Sequence, residues 1–391
     1  MRACRIWLPI LLLLAPLAWA QAPVRLSEAC PPSFEKLADG TCQLRTLYDF
    51  YDSPEAHGGL RASLPAEPAR YTPEQIDLGR YLFFDPLLSG RGDLACASCH
   101  QPAKGLADGR AQALGVRRAD GSRTPLPRAT PSLWNVAFLK RWMWDGSEKS
   151  LPAQAQRPLF SPEEMANTPE QLVRSLNAAP GYPPLFQQAF GQAPSVDTAT
   201  RALAAFQSTL VSFNSRYDRY VHGDSSALTA QEVRGYNSFR GFVGRCTQCH
   251  IPPLFTDSEL AVIGLPNAAG QGFDAGAGKG SSDPALLGAF KVPTLRNITR
   301  TAPYFHAGQA QTLTDAVHFY NDTRGHAAPA GVPLKLHWHI HMTRGPQLSA
   351  QDEADIVAFL DSLEDELLLP RTPDAVPSGL KPSTTLDAES P

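Results

Sequence analysis

Apolar residues along this chain recur mostly at helical spacing. After Ser349-x-x-Asp352, residues Ile356, Phe359, Leu360 and Leu363 fall at i, i+3, i+4 and i+7, one face of a helix. Other helices are marked by their starts. Thr72-Pro73-Glu74-Gln75 combines a capping threonine, a proline at the first helical position and a glutamine three residues on, and predicts a helix running towards Phe84. The same signature at Ser161-Pro162-Glu163-Glu164 and at Thr168-Pro169-Glu170-Gln171 predicts two more. Arg201 to Tyr220 forms a longer helical stretch, broken at His222–Ser226, and Thr229-x-x-Glu232 opens the helix leading to Cys246. Period-two alternation is scarce, so the fold class expected is mainly α. Asn267–Asp283, rich in Gly, Ala and Ser, reads as a mobile loop, and residues 368–391 as a disordered tail.

The apolar run at the N-terminus differs in kind. Arg2 and Arg5 precede an apolar stretch from Ile6 to Leu17, followed by Ala18-Trp19-Ala20. That order predicts a cleaved secretory signal over residues 1–20, and the run, interrupted by Pro9 and Pro16, is short for a spanning helix. No later stretch is long and apolar enough to span a bilayer, so the mature chain is expected to be soluble and periplasmic. Its 391 residues, 43% hydrophobic, suffice for two domains, and the formal net charge of −3 argues against a nucleic-acid partner.

Six cysteines follow the signal. Cys30 and Cys42 flank a short polar segment, and in an oxidising compartment a disulfide between them is expected. The other four stand in Cys96-Ala97-Ser98-Cys99-His100 and Cys246-Thr247-Gln248-Cys249-His250, both of the form C-x-x-C-H. Two thiols one helical turn apart can each add to a haem vinyl group, and the adjacent imidazole reaches the iron. A redox C-x-x-C has no need of the histidine, and zinc ligands are spaced otherwise. The cofactors expected are two covalently bound haems c. With one haem per domain, the expected organisation is a lead-in over 21–71, a first haem domain over 72–221 and a second over 222–367. No internal repeat is visible beyond the two motifs.

The residues around the motifs carry a resemblance. Leu78-Gly79-Arg80-Tyr81-Leu82-Phe83-Phe84-Asp85, Thr130-Pro131-Ser132-Leu133-Trp134-Asn135-Val136 and Trp144-Asp145-Gly146 resemble the first domain of the bacterial diheme cytochrome c peroxidase and MauG superfamily. Phe290-Lys291-Val292-Pro293-Thr294-Leu295-Arg296-Asn297 and Thr301-Ala302-Pro303-Tyr304-Phe305-His306 resemble its second. The resemblance implies two cytochrome c-like domains, hydrogen peroxide as substrate, and an electron donor or partner protein in the periplasm.

Three features bear on the branch. No histidine lies between His100 and His222, where the cytochrome c peroxidases carry a removable ligand, so the first haem is expected to be open. Met143 and Met165 are the other conceivable ligands there, although internal methionines more often fill core. Trp144, Gln154, Pro158 and Glu164 match, in the family, a tryptophan between the haems and three residues lining the peroxide site. Glu164 has two readings: an acid/base group over the open iron, or the third residue of a helix cap. Finally, Tyr320 follows His306 at the spacing where the cytochrome c peroxidases place a methionine ligand to the second iron and the MauG-like branch a tyrosine. Met342, in His337-Trp338-His339-Ile340-His341-Met342, competes with it for that place.

An interdomain calcium ion is also implied by the family. Thr301 and Pro303 match its carbonyl ligands, but Ala129 stands where the family has an asparagine. Three functions stay open at this stage. One is peroxide-driven oxidation of a partner protein, with the second haem storing or relaying oxidising equivalents. The second is peroxide removal with electrons from a small cytochrome or cupredoxin. The third is electron transfer without catalysis.

Overall fold

The computed structural model describes residues 24–49, 64–65, 69–322, 331–337, 347–365 and 369–386. The expected signal segment and Met342 lie outside the described residues. Ten α-helices and three two-stranded antiparallel sheets make up the regular structure of the described residues, so the chain is mainly α as expected. None of these helices is long and apolar enough to cross a membrane.

Six helices surround the first haem motif: α1 (Pro73–Phe84), α2 (Cys96–Cys99), α3 (Leu151–Phe160), α4 (Pro169–Ala178), α5 (Tyr182–Phe190) and α6 (Val196–Gln207). Thr72 and Gln75 form the expected reciprocal cap at the start of α1. The core here is built on Leu78, Phe83, Phe84, Trp134, Phe186 and Phe206. Four helices surround the second motif: α7 (Arg216–Val221), α8 (Ala230–Arg240), α9 (Leu313–Asp322) and α10 (Ala350–Asp361). Tyr217, Tyr236, Phe239, Phe255 and Phe359 form a separate aromatic core there. Ahead of α1, strands β1 (Phe34–Lys36) and β2 (Cys42–Leu44) are pinned by the Cys30–Cys42 disulfide, as expected.

Both helical groups rest on one device. Helix α1 crosses α6 so closely that a Cβ on Gly79 would lie 1.8 Å from the Ala202 carbonyl oxygen. Helix α8 crosses α10 in the same way, with a Cβ on Gly235 falling 1.8 Å from the Asp355 carbonyl oxygen. Only glycine permits that approach.

The parallel extends into a repeat that identity alone hides. Residues 129–160 match residues 291–322 in register, without insertion. Asn135 and Asn297 both take positive φ at the start of a 3-10 turn. The isolated bridge Trp142–Glu148 corresponds to Tyr304–Ala310, Gly146 to Gly308, and α3 to α9, each ten residues long. In this register Trp144 corresponds to His306, and Pro158 to Tyr320.

Four expectations are corrected. Ser161 does not open a helix but ends α3, its N–H bonded to the Arg157 carbonyl, and the chain turns back through Pro162–Met165. The stretch from Arg201 to Tyr220 is two helices, not one. The Asn135 side chain takes up both the N–H and the C=O of Ser212, and Ser215 caps a new start. Asn267–Asp283 has no helix or strand but is tied down, with Asp274 ion-paired to Arg128 at 2.7 Å. The supposed disordered tail packs: residues 369–386 bury Val376 and Leu386, and Val376 joins the core of the first group. Ser378 bonds Asp85, Ser383 N–H bonds the Phe84 carbonyl at the end of α1, and the Ser383 hydroxyl meets Ser98 inside the first haem motif at 2.8 Å.

Candidate haem centres

A cavity of about 1470 Å³ runs between the two helical groups. It exceeds the roughly 300–1,000 Å³ of a pocket for one small ligand. Both C-x-x-C-H motifs open onto it, together with Trp144, Gln154, Pro158, Glu164, Thr301, Pro303 and Tyr320. Every site residue expected from the sequence thus faces one space.

Each motif is folded so that its histidine is oriented. Helix α2 brings Cys96 and Cys99 to one side, and the His100 ring places Nδ1 2.9 Å from the Leu106 carbonyl oxygen. A carbonyl only accepts, so Nδ1 carries the proton and Nε2 keeps its lone pair. In the second motif, a 3-10 turn over Cys246–Gln248 does the same work, and His250 Nδ1 bonds the Phe255 carbonyl at 3.0 Å. Burial lowers the pKa of both imidazoles and keeps them neutral, the form that binds a metal. Burial also pushes the thiols of Cys96 and Cys99 up to about 12 and that of Cys249 to about 11. Such thiols are poor redox nucleophiles, which argues against a thioredoxin-like reading of the C-x-x-C pairs. Two half-buried thiols on the cavity wall beside an oriented neutral imidazole, twice over on one large cavity, fit two haems c.

Above the first motif, Gln154 and Pro158 stand one turn apart on α3. The Gln154 amide reaches the Met143 sulfur at 3.7 Å, and Met165 is buried in the core. Glu164 sits in the turn after α3 and caps no helix, which removes its structural alternative. Burial raises its carboxyl above the ordinary range, with Arg157 opposing and Glu163 reinforcing. It lies close enough to Cys99 to disfavour that thiolate. Gly115 and Gly90 let the backbone press against Glu163 and Ala166, so the turn is held from both sides.

At the second motif, Tyr320 on α9 is 36% exposed, but it lines the cavity, and that exposure is to the cavity. The enclosing protein drives its phenol well above the ordinary value, with Cys246 and Cys249 adding to the effect. Of the His337–Met342 run only His337 is described; it also lines the cavity.

Trp144 is held at the junction of the two groups. Its indole N–H donates to the Ala129 carbonyl at 2.8 Å, and its own carbonyl accepts from the Lys291 N–H at 2.7 Å. Ala129 N–H donates in turn to the His306 carbonyl at 2.7 Å. Since Ala129 corresponds to Lys291 and Trp144 to His306, the two backbone bonds are one bond made twice. The sequence analysis gave no role to Arg128, which pairs with both Asp145 and Asp274, or to Lys291 and His306. The alignable runs Thr130-Pro131-Ser132-Leu133 and Val292-Pro293-Thr294-Leu295 were the signal that leads to them. No cluster of three His, Cys, Asp or Glu able to hold a metal ion occurs among the described residues, at Thr301 and Pro303 or elsewhere.

Comparison with known proteins agrees with this geometry. Residues 73–226 match the family model described as di-haem cytochrome c peroxidase. Methylamine utilization protein MauG of Methylorubrum extorquens is 38% identical over 309 residues, 77% of this chain and 82% of that protein. Cytochrome c551 peroxidase of Nitrosomonas europaea is 36% identical over 271 residues, 66% of this chain and 78% of that one. Among solved structures, a MauG-like protein associated with microbial copper homeostasis is similar with a TM-score of 0.67 at 31% identity, covering 82% of this chain and 97% of that chain.

Proposed function

The chain belongs to the di-haem cytochrome c peroxidase family, and on that premise we propose that it reduces hydrogen peroxide at the centre held by Cys96, Cys99 and His100. In this reading the centre held by Cys246, Cys249, His250 and Tyr320 relays or stores oxidising equivalents, and the electrons come from a periplasmic partner protein, as in the MauG-like branch.

The observation that carries the reading is the register of the repeat. Pro158 occupies in the first half the place that Tyr320 occupies in the second. A tyrosine there offers an oxygen to a metal; a proline offers nothing. Tyr320 would therefore give a haem of the second half a further donor, and Pro158 would leave that of the first half open for substrate. Electron transfer without catalysis, which needs both centres closed, is disfavoured by the same asymmetry.

Haem, when bound, supplies the redox iron that gives two electrons to peroxide. Two protons complete its conversion to two waters. Glu164 would move a different proton, one that peroxide itself brings, from one peroxide oxygen to the other, which leaves as water. Gln154 orients the substrate by hydrogen bonding. Trp144, held between the two groups by Ala129 and Lys291, offers an oxidisable ring on the path between the centres. A calcium ion, where one binds, would be held by the Thr301 and Pro303 carbonyls and water, with no side chain from Ala129.

The test is the as-isolated, fully oxidised protein mixed with peroxide. An open first centre gives a high-spin fraction and reacts at once. A wholly low-spin protein that reacts only after one-electron reduction would falsify the reading. A second reading, with a small cytochrome as donor, is favoured by the relative named cytochrome c551 peroxidase. Rapid peroxide-dependent oxidation of a reduced small cytochrome would establish that donor.

A further inference from the structure

Lys291 is a charged residue that the chain buries and leaves without a partner. It ends the short strand β6 (Phe290–Lys291), which pairs with β5 (Leu260–Ala261) on the wall of the cavity. Only 8% of it is exposed. Its backbone N–H is engaged by Trp144, yet its ammonium has neither a hydrogen bond nor an ion pair among the described residues. Burial pushes its pKa down to about 8, and no carboxylate among the described residues acts to hold it up. The nearby acids are committed elsewhere. Asp274 and Asp145 face Arg128, and Glu259 faces Lys140 and Arg141. A lone buried cation is costly, and it either meets an anion or gives up its proton.

The cavity is where that anion belongs. A haem carries two carboxylate arms, and of the groups assigned to enter this cavity it is the one that brings carboxylates. The charge of Lys291 is felt at the His250 ring and not among the influences on His100, so the second centre is the one within reach. The corresponding residue in the first half is Ala129, which has no charge to offer. We propose that Lys291 Nζ pairs with a haem carboxylate of the second centre at the domain junction beside Trp144, and that this ion pair raises the reduction potential of that centre above what its axial donors alone would set.

The inference rests on the haem assignment above, and its test separates the two. Covalent haem is counted by intact mass and by the haemochrome spectrum of each purified holoprotein. Each potential is then read by spectroelectrochemical titration. Lys291→Met should lower the midpoint of the second centre and leave the first unchanged, because a lost positive charge favours the oxidised iron. Lys291→Arg should keep the wild-type value. Should Lys291→Met fail to mature, Lys291→Gln, neutral but polar and nearly as long, should show the same fall. Two haems with an unmoved second midpoint, an equal fall at both centres, or a fall in Lys291→Arg matching that in Lys291→Met would each overturn the assignment of Lys291 alone. A wild-type protein with fewer than two covalent haems would overturn the reading beneath it.

Discussion

At the scale of single residues, the proposed peroxide cleavage turns on Glu164. Its carboxyl is half-buried in the cavity wall, caps no helix, and is raised above the ordinary carboxylate range by desolvation there. Proton transfer needs it to begin as the base. The rate of peroxide cleavage should therefore rise with pH through the raised pKa, with an acid limb lying above the ordinary 4.5. Glu164→Gln should slow cleavage by roughly 10²–10⁴-fold, the usual worth of a positioned acid/base group, and abolish the acid limb. Rapid-mixing spectra across pH provide the check, and an unchanged rate would leave Glu164 a bystander. The two haem motifs were legible because their chemistry is written in five consecutive residues. Glu164 was legible only in part. The pattern Ser-Pro-Glu-Glu that suggests a helix start instead follows a helix end, and a local pattern cannot tell which side of it the helix lies on.

At the scale of elements, the helix pairs that frame each centre depend on contact too close for a side chain. Gly79 under Ala202 and Gly235 under Asp355 each leave no room for a methyl group. Gly79→Ala and Gly235→Ala should each force a helix pair apart and cost about 1–3 kcal/mol, the usual toll of overpacking. Thermal unfolding of the holoprotein measures this, and a pair of unshifted melting midpoints would contradict it. Helix starts at Thr72, Thr168, Thr229 and Ser349 were readable from their caps, since capping is a local bargain between one side chain and the next turn. The break between Gln207 and Arg216 was not. It is imposed by Asn135, far away in sequence, which claims the Ser212 backbone. The tail was misread for the same reason. Its few apolar residues look weak alone, but Val376 finds a core already built.

At the scale of the whole molecule, the backbone is twofold and the chemistry is not. The bonds from Ala129 N–H to the His306 carbonyl and from Lys291 N–H to the Trp144 carbonyl are the same clasp in the two halves. Only five residues of the repeat are identical: Pro131 and Pro293, Leu133 and Leu295, Asn135 and Asn297, Gly146 and Gly308, Leu151 and Leu313. Each serves backbone geometry or core, which is why the repeat escaped a reading tuned to reactive residues. The functional positions are those where the halves diverge. Trp144 stands opposite His306, and Pro158 opposite Tyr320. If the divergence serves to hold two oxidising equivalents apart, one at each centre, both exceptions are needed. Trp144→Phe removes the oxidisable ring but keeps the aromatic volume. It should leave the reaction with peroxide intact while the spectral change stays confined to the first centre. On the proposed ligation, Tyr320→Met would replace a hard anionic donor with a thioether, which favours reduced iron. It should keep the second centre low-spin, raise its potential, and end its share of the oxidation. Stopped-flow spectra after one equivalent of peroxide separate the cases. If Tyr320→Met still spreads the oxidation to both centres, the second donor is another residue, and Met342 is the next to replace.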